Sequence, residues 1–327
     1  MAKPCIAFVT GGYSGEAVIS YKSAITIENN LDREKFDIYR IDITPEEWFH
    51  PNGDKKVPVN KGDFTLDLDG KKVIFDAALI GIHGTPGEDG KLQGYFDLLG
   101  IPYTSCDAAT SALTFNKRYT VAVASFSGIP VAKSIHLFKH APLGVEKILE
   151  SLRLPVFVKP NNGGSSIGMS KVTDKNQLEP ALEKAFKEDD QVLVEEFISG
   201  REFTIGVFRK SGKIITLPFT EIITENEFFD FEAKYEGKSE EITPAACSEA
   251  IAEKVRNTAT KVYSIFNCRG IVRMDFIYEA SLEQPFLLEI NTVPGQSEAS
   301  IVPQQVRAMG WDLKTFYTTL IEEALQS

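Results

Sequence analysis

No run of this 327-residue chain comes near the roughly 18 consecutive apolar residues that a membrane-crossing helix requires. Cysteine is scarce. Cys5, Cys106, Cys247 and Cys268 stand far apart and form no C-x-x-C pair, so free core or near-core thiols in a reducing compartment are expected rather than a disulfide framework. The four histidines and dispersed cysteines give no zinc-ligand spacing. There is no G-x-G-x-x-G followed by an acid about 20 residues on, which argues against a nicotinamide dehydrogenase. The glycine-rich stretch 159–168 lacks the Gly-Lys-Ser/Thr ending into a helix that a P-loop needs, and Ser14 and Ser127 sit in no G-x-S-x-G elbow. Positive charge is in deficit: 35 Lys and Arg against 46 Asp and Glu give −11, which argues against nucleic-acid binding through phosphates. The start, Met1-Ala2-Lys3-Pro4-Cys5, lacks a signal-peptide h-region and cleavage site, so a cytoplasmic protein is expected.

What is present suits a large core: 43% hydrophobic and 25% charged residues, in a length that fits two or three lobes. Strand signals at Cys5–Val9, Tyr39–Ile43 and Ala77–Ile80 alternate with helical patterns, which predicts a parallel sheet with crossover helices closing near Ile101-Pro102-Tyr103. Asn52-Gly53 reads as a turn, and 57–72 as a hairpin with charged edges. One helix is expected over 108–126, stopped by Gly128 and Pro130. The character then changes, with strands at 155–159, 169–172 and 191–195 and a helix at 177–187. Two later helices follow from apolar spacing, one capped by Ser248 and the other carrying Leu313, Phe316, Leu320 and Ala324. Three sequential lobes fit best, at 1–112, 113–204 and 205–327.

Several segments carry chemistry. Gly11-Gly12-Tyr13-Ser14-Gly15-Glu16 lies between a strand and a helix, where glycines aim backbone N–H groups at an anion; a plain tight turn with Glu16 at the helix start explains it equally. Lys159-Pro160-Asn161-Asn162-Gly163-Gly164-Ser165-Ser166-Ile167-Gly168 suits a flap wrapping phosphate oxygens, with Lys159 as a point charge; a simple flexible hairpin loop is the alternative. The stretch 195–202 follows a strand and suits a linker whose backbone reads a purine edge, with Glu202 near ribose hydroxyls; an ordinary surface connection is the simpler reading, here as for the charged segment that follows. The segment from about Thr220 through Lys234 and Tyr235 is a long charged loop, a length that is usually functional or disordered. His83 stands at the entrance of a glycine-rich loop ending at Gly94, where a structural role is the simpler reading.

The strongest signal is a hairpin of 270–278 with 285–291. A register centred on residue 282 sets Asp275 opposite Glu289 and Arg273 opposite Asn291. Period-two alternation then buries Val272, Met274, Phe276, Leu288 and Ile290 on one face and brings the four polar residues out on the other. Two carboxylates directly opposite repel, and a hard divalent cation with phosphate oxygens removes that conflict. The alternative is a solvated face on which Arg273 compensates the acids.

In order along the chain, these segments resemble the D-alanine–D-alanine ligases of the ATP-grasp superfamily. The resemblance rests on Gly-Gly-x-Ser-x-Glu at 11–16, His-Gly…Gly-Glu-Asp-Gly…Gln-Gly at 83–94, Val-Lys-Pro…Gly-Ser-Ser-x-Gly-Met at 158–169, Glu-Ala-Lys-Tyr at 232–235, Arg-x-Asp at 273–275 and Glu-x-Asn-Thr-x-Pro-Gly at 289–295. It implies an α/β (α+β overall) chain: an N-terminal Rossmann-like parallel-sheet domain, then central and C-terminal ATP-grasp domains with mainly antiparallel sheets. It further implies ATP-dependent joining of two D-alanines through a D-alanyl phosphate for peptidoglycan precursors, with two Mg²⁺ ions (Mn²⁺ as a substitute) and a homodimer.

Residue by residue, the resemblance implies Lys117, Lys159 and Ser166 at the phosphates, Lys234 at the γ-phosphate, Glu195, Glu196 and Ile198 around adenine, and Glu202 at ribose. Asp275, Glu289 and Asn291 hold the metals. Glu16 orients the first alanine's ammonium within a chain of Glu16, Ser165 and Tyr235, and His83 lies among the substrate residues. Arg273 and the Gly295 N–H face the oxyanion, and Ser300 takes the second alanine's carboxylate. The chain departs from the family pattern at Ala17, Asn116 and Gln296-Ser297-Glu298, the last group bordering the second-substrate pocket. The competing expectations are another ATP-grasp carboxylate–amine ligase and an inactive nucleotide-binding regulator; intact Lys159, Arg273, Asp275 and Glu289 speak against the second.

Overall fold

The computed structural model describes residues 2–164, 167–224 and 239–326. Its first sheet contains β1 (Cys5–Gly11), β2 (Asp37–Ile43), β3 (Trp48–Asn52), β4 (Lys55–Pro58) and β7 (Ala77–Ile80), in the order β4-β3-β2-β1-β7. A two-stranded ribbon of β5 (Leu66–Leu68) and β6 (Lys71–Val73) lies beside it. β1 is parallel to β2 and to β7, as expected, and Tyr103 extends the parallel pairing through a bridge to Ala78. β2–β3 and β3–β4 are antiparallel, so the sheet is mixed rather than wholly parallel. β1 is apolar without alternation because both of its faces are covered: Ile6 and Phe8 enter one core, Ala7 and Val9 another.

The hairpin expected over 57–72 is instead two hairpins. Gly53-Asp54 turns β3 into β4, one residue beyond the Asn52-Gly53 turn expected, and Asp69-Gly70 turns β5 into β6, each a two-residue connection of the type that matches strand twist. The single helix expected over 108–126 is also two. α3 (Ala108–Phe115) stops at Asn116, whose backbone is extended and whose side chain accepts from the Tyr119 N–H to cap α4 (Lys117–Phe126). Asparagine favours that capping position over a helix interior, and the break sets Lys117 at the start of a new axis. The other helices of the first lobe are α1 (Ala17–Asn29) and α2 (Lys91–Leu99).

The second sheet, β10-β9-β11-β8, is built from β8 (Ser134–Phe138), β9 (Val156–Pro160), β10 (Ser170–Val172) and β11 (Gln191–Glu196). Helices α5 (Val145–Ser151) and α6 (Leu178–Glu188) pack on the face carrying Val156, Val158, Val192 and Val194. The third sheet is β12 (Arg201–Lys210), β13 (Lys213–Thr216), β14 (Thr220–Thr224), β15 (Ser239–Ile242), β16 (Val272–Glu279) and β17 (Gln284–Asn291). All its pairings are antiparallel. Helix α7 (Glu249–Ile265), capped by Ser248 as read, covers it with Val255, Ala259 and Val262. The last two helices, α8 (Ile301–Ala308) and α9 (Leu313–Ala324), return to the first sheet and share a core with Ile6 and Phe8. Cys106 and Cys268 are buried, Cys5 and Cys247 half-buried, and all four are free thiols.

The β16–β17 register is the expected one at its functional end: Asp275 faces Glu289 and Arg273 faces Asn291. Beyond Asp275 the pairing shifts, and Phe276 meets Leu287. The extra residue, Leu288, is a β-bulge, so Leu287 takes the buried place expected of Leu288.

Candidate active site

The loops after β1 and β7, the start of α4 and the segment following β17 converge on one cavity of about 430 Å³. Glu16, His83, Lys117, Glu202, Arg273, Asp275, Glu289, Asn291, Gly295 and Ser300 all line it, so ten of the residues read from the sequence meet in one place. Glu16 sits at the start of α1 without capping it, which leaves its carboxylate to the cavity. Burial raises that carboxyl's pKa, against the pull of Lys117 and Ser14. The carboxylate is wedged between two glycines: a Cβ on Gly84 would collide with Oε2, and one on Gly164 would lie 2.7 Å from Oε1. The glycine-rich flap therefore roots directly against Glu16. Lys117 reaches the same flap, with Nζ donating to the Gly163 carbonyl at 2.6 Å.

On the third sheet, Arg273 lies between the paired acids. It donates from Nε and Nη2 to Asp275 at 3.0 and 2.9 Å, and Nη2 is 3.6 Å from Glu289 Oε1. Burial opposes charge on this guanidinium, but Asp275, Glu289 and Glu88 outweigh it and raise its pKa. Burial likewise raises the Asp275 carboxyl, with Arg273 pulling it back. Thr204 Oγ1 also donates to Asp275, and the Asn291 amide donates to both Asp275 and Glu289 at 3.4 Å. Both sides of the hairpin reading are thus visible: the acids face each other, and Arg273 is their counter-charge. Among the described residues no three His, Cys, Asp or Glu side chains form a metal-ligand group; the third donor beside the two carboxylates is an amide. Two carboxylates and an amide, all offering oxygen, are a donor set that suits a hard divalent cation.

Lys159, Glu195, Glu196 and Ile198 do not line this cavity. Lys159 on β9 pairs with Glu195 on β11, with side chains only 12% and 10% exposed. The Glu196 carboxylate accepts from the Arg153 N–H at 2.9 Å, and Ile198 is half-buried just beyond β11. Ser165, Ser166, Lys234 and Tyr235 lie outside the described residues.

His83 is buried, with Nε2 2.9 Å from Ser23 Oγ and a further bond to the Val293 backbone. Burial pushes its pKa down to about 4, so at neutral pH the ring is an uncharged brace. Ser23 Oγ also accepts from the Gln296 N–H at 3.1 Å, and Gln296 Oε1 accepts from Tyr317 at 3.1 Å. The departure at Gln296 is therefore anchored to α1 and α9. Sequence reasoning passed over Glu88. Its carboxyl accepts from the Gly84 N–H at 2.6 Å and the Val293 N–H at 3.3 Å, tying the loop after β7 to the loop after β17. Burial, then the Glu16 charge, pushes it up to about 8. Its place inside the 83–94 motif was the available signal. Glu241, held by Gln304 at 2.8 Å, also lines the cavity and had no motif to mark it.

Comparison with known proteins agrees along the whole chain. The family profile described as D-ala D-ala ligase N-terminus matches residues 5–106, and D-ala D-ala ligase C-terminus matches 120–322. A D-alanine–D-alanine ligase of Parabacteroides distasonis is 46% identical over 327 residues, covering 99% of this chain and 98% of that protein. Among solved structures, the VanG D-Ala:D-Ser ligase of Enterococcus faecalis superposes with a TM-score of 0.88 at 32% identity, over 98% of this chain and 99% of that one. The D-alanyl-alanine synthetase A of Vibrio cholerae gives 0.88 at 29% identity, over 100% of both chains.

Proposed function

The chain belongs to the D-alanine–D-alanine ligase family, and on that premise we propose that its cavity joins two D-alanine molecules, using ATP, to supply peptidoglycan precursor synthesis in the cytoplasm. The observation that carries this is the convergence of Glu16, Lys117, Arg273, Asp275, Glu289, Gly295 and Ser300 on one cavity. In the first step a carboxylate oxygen of one D-alanine attacks the γ-phosphorus; the bond to the bridging oxygen breaks, leaving ADP and D-alanyl phosphate. Lys117, Lys159 and Lys234 hold phosphate oxygens, Ser166 belongs to the flap over them, Glu195, Glu196 and Ile198 hold adenine, and Glu202 the ribose.

Asp275, Glu289 and Asn291 would hold two Mg²⁺ ions, which neutralise charge on the transferring phosphoryl group. Binding there requires Arg273 to yield its place between the carboxylates. In the second step the amine of the other D-alanine attacks the acyl carbon, losing a proton as phosphate departs. Arg273, once freed, and the Gly295 N–H face the developing oxyanion. Glu16 holds the first ammonium, in a chain with Ser165 and Tyr235, and Ser300 receives the second carboxylate. Neutral His83 and Glu88 hold the 293–296 loop so that the Gly295 N–H stays aimed. The three lobes at 1–112, 113–204 and 205–327 close over the acyl phosphate and exclude water. We assign the working form as a homodimer, to be checked by light scattering.

The test is phosphate release with ATP and Mg²⁺, and product mass, with D-alanine, L-alanine, or D-alanine plus D-serine or D-lactate. ADP and D-alanyl-D-alanine, formed with the D-isomer alone, are expected. ATP binding without turnover on D-alanine would overturn the substrate and leave the fold assignment standing.

A further inference from the structure

We infer that Lys22, on α1, binds the carboxylate of the second, amine-donating amino acid; this rests on the ligase reading above and assigns that site a cation no motif marked. Two zwitterions must enter one cavity, bringing two ammonium groups and two carboxylates. Glu16 answers the first ammonium, and Arg273 stands where the first carboxylate reacts. The second carboxylate still needs a positive charge, because burying an anion without a partner is costly.

Among the described residues, three cations line the cavity. Arg273 is bound to Asp275 and Glu289, and Lys117 reaches the flap carbonyl of Gly163. Lys22 is the third, and its ammonium makes no ion pair or hydrogen bond among the described residues. Its direction follows from helix geometry. Glu16, Ile19 and Lys22 recur every three residues and all line the cavity, so one ridge of α1 forms its wall.

A hydrogen bond fixes which corner Lys22 serves. The Gln296 N–H donates to Ser23 Oγ at 3.1 Å, which sets α1 beside the 296–297 segment, and Lys22 and Ser297, the chain neighbours of that pair, both line the cavity. Ser297 Oγ lies 2.7 Å from Ser300 Oγ, and Ser300 opens α8 without using its side chain to cap it. Two hydroxyls, the start of a helix and a lysine ammonium at one corner are complementary to a carboxylate. The cation also gives the chain a means of preferring an amino acid over an uncharged amine as acceptor.

The experiment compares wild type, Lys22→Ala and Lys22→Arg with D-alanine as donor and either D-alanine or D-alaninamide as acceptor. Lys22→Ala is expected to raise the acceptor KM for D-alanine about tenfold, the scale of one charged hydrogen bond. Donor KM and use of D-alaninamide stay unchanged, and Lys22→Arg retains most of the wild-type acceptor affinity. An unchanged acceptor KM, or an equal loss with the amide, overturns the role of Lys22 while the ligase reading stands. A wild type that forms no D-alanyl-D-alanine overturns the ligase reading itself, and this proposal with it.

Discussion

Replacing Glu88 by glutamine should flatten the pH dependence of stability above pH 6.5. Burial and the Glu16 charge push this carboxyl from 4.5 up to about 8, while the Gly84 and Val293 N–H groups pull it partly back. Between those values the folded chain holds a proton that the unfolded chain releases, so stability falls as pH rises through the window. His83 acts in the opposite sense. Burial lowers it from 6.5 to about 4, the folded chain binds fewer protons there, and stability rises with pH up to 6.5. The two groups oppose each other below 6.5 and leave Glu88 acting alone above it. The remaining 1.5 pH units, at 1.36 kcal/mol each, correspond to about 2 kcal/mol lost by pH 8. Glutamine carries no charge in this range, but its NH₂ opposes one of the two N–H donors, at a cost of about 1–3 kcal/mol at every pH. The variant is therefore less stable at pH 6.5, and the gap closes by about 2 kcal/mol at pH 8. Urea unfolding followed through Trp48 and Trp311 fluorescence measures both. Stability curves that run parallel from pH 6.5 to 8 would refute the buried-proton account.

Three further outcomes are expected. Glu289→Gln should lower turnover by more than about a hundredfold, beyond the usual cost of an outer-shell change, with cooperative unfolding retained; wild-type rates would sink the metal assignment. Arg273→Met should cost about 3–5 kcal/mol, because it leaves Asp275 and Glu289 without their counter-charge, and Mg²⁺ should restore part of that in thermal melts. Equal melts with and without Mg²⁺ would mean that the carboxylates do not take a cation. Asn116→Ala should cost about 1 kcal/mol through the lost α4 cap and raise the ATP KM by releasing Lys117; an unchanged urea midpoint would deny the cap its role.

The parts of the fold that were legible are those where local pattern and burial coincide. β1 read as a strand because its short apolar run is covered on both faces, and α7 and α9 showed as apolar stripes with their buried positions correctly spaced. The misreadings come from single polar residues with local hydrogen bonds. Asn116 looked like one position in a continuous helix, yet its side chain gave the Tyr119 N–H a partner and ended one axis to begin another. Asp69-Gly70 carried a turn that was folded into a longer hairpin. Leu288 fitted the alternation perfectly on paper, and a one-residue bulge moved Leu287 into its place. Period-two arithmetic holds only until the register slips.

The same contrast governs the site. Asp275, Glu289, Arg273 and Asn291 lie on two strands joined by a short turn, so their meeting follows from a single register that the sequence expresses directly. Glu88, Lys22 and Gln296 act across long separations: Glu88 reaches Val293, and Ser23, beside Lys22, reaches Gln296. No local pattern encodes such contacts, because each depends on α1, the loop after β7 and the loop after β17 packing together first. Their chemistry depends on that packing as well. A carboxyl pushed up to about 8 and an imidazole pushed down to about 4 are both neutral at pH 7, and neutrality allows two buried groups to brace one loop beside Arg273 and Glu16. Composition counts Glu88 as one more negative charge in a chain of net charge −11; burial instead makes it a hydrogen-bonding clamp, and the pH profile of Glu88→Gln reads that difference.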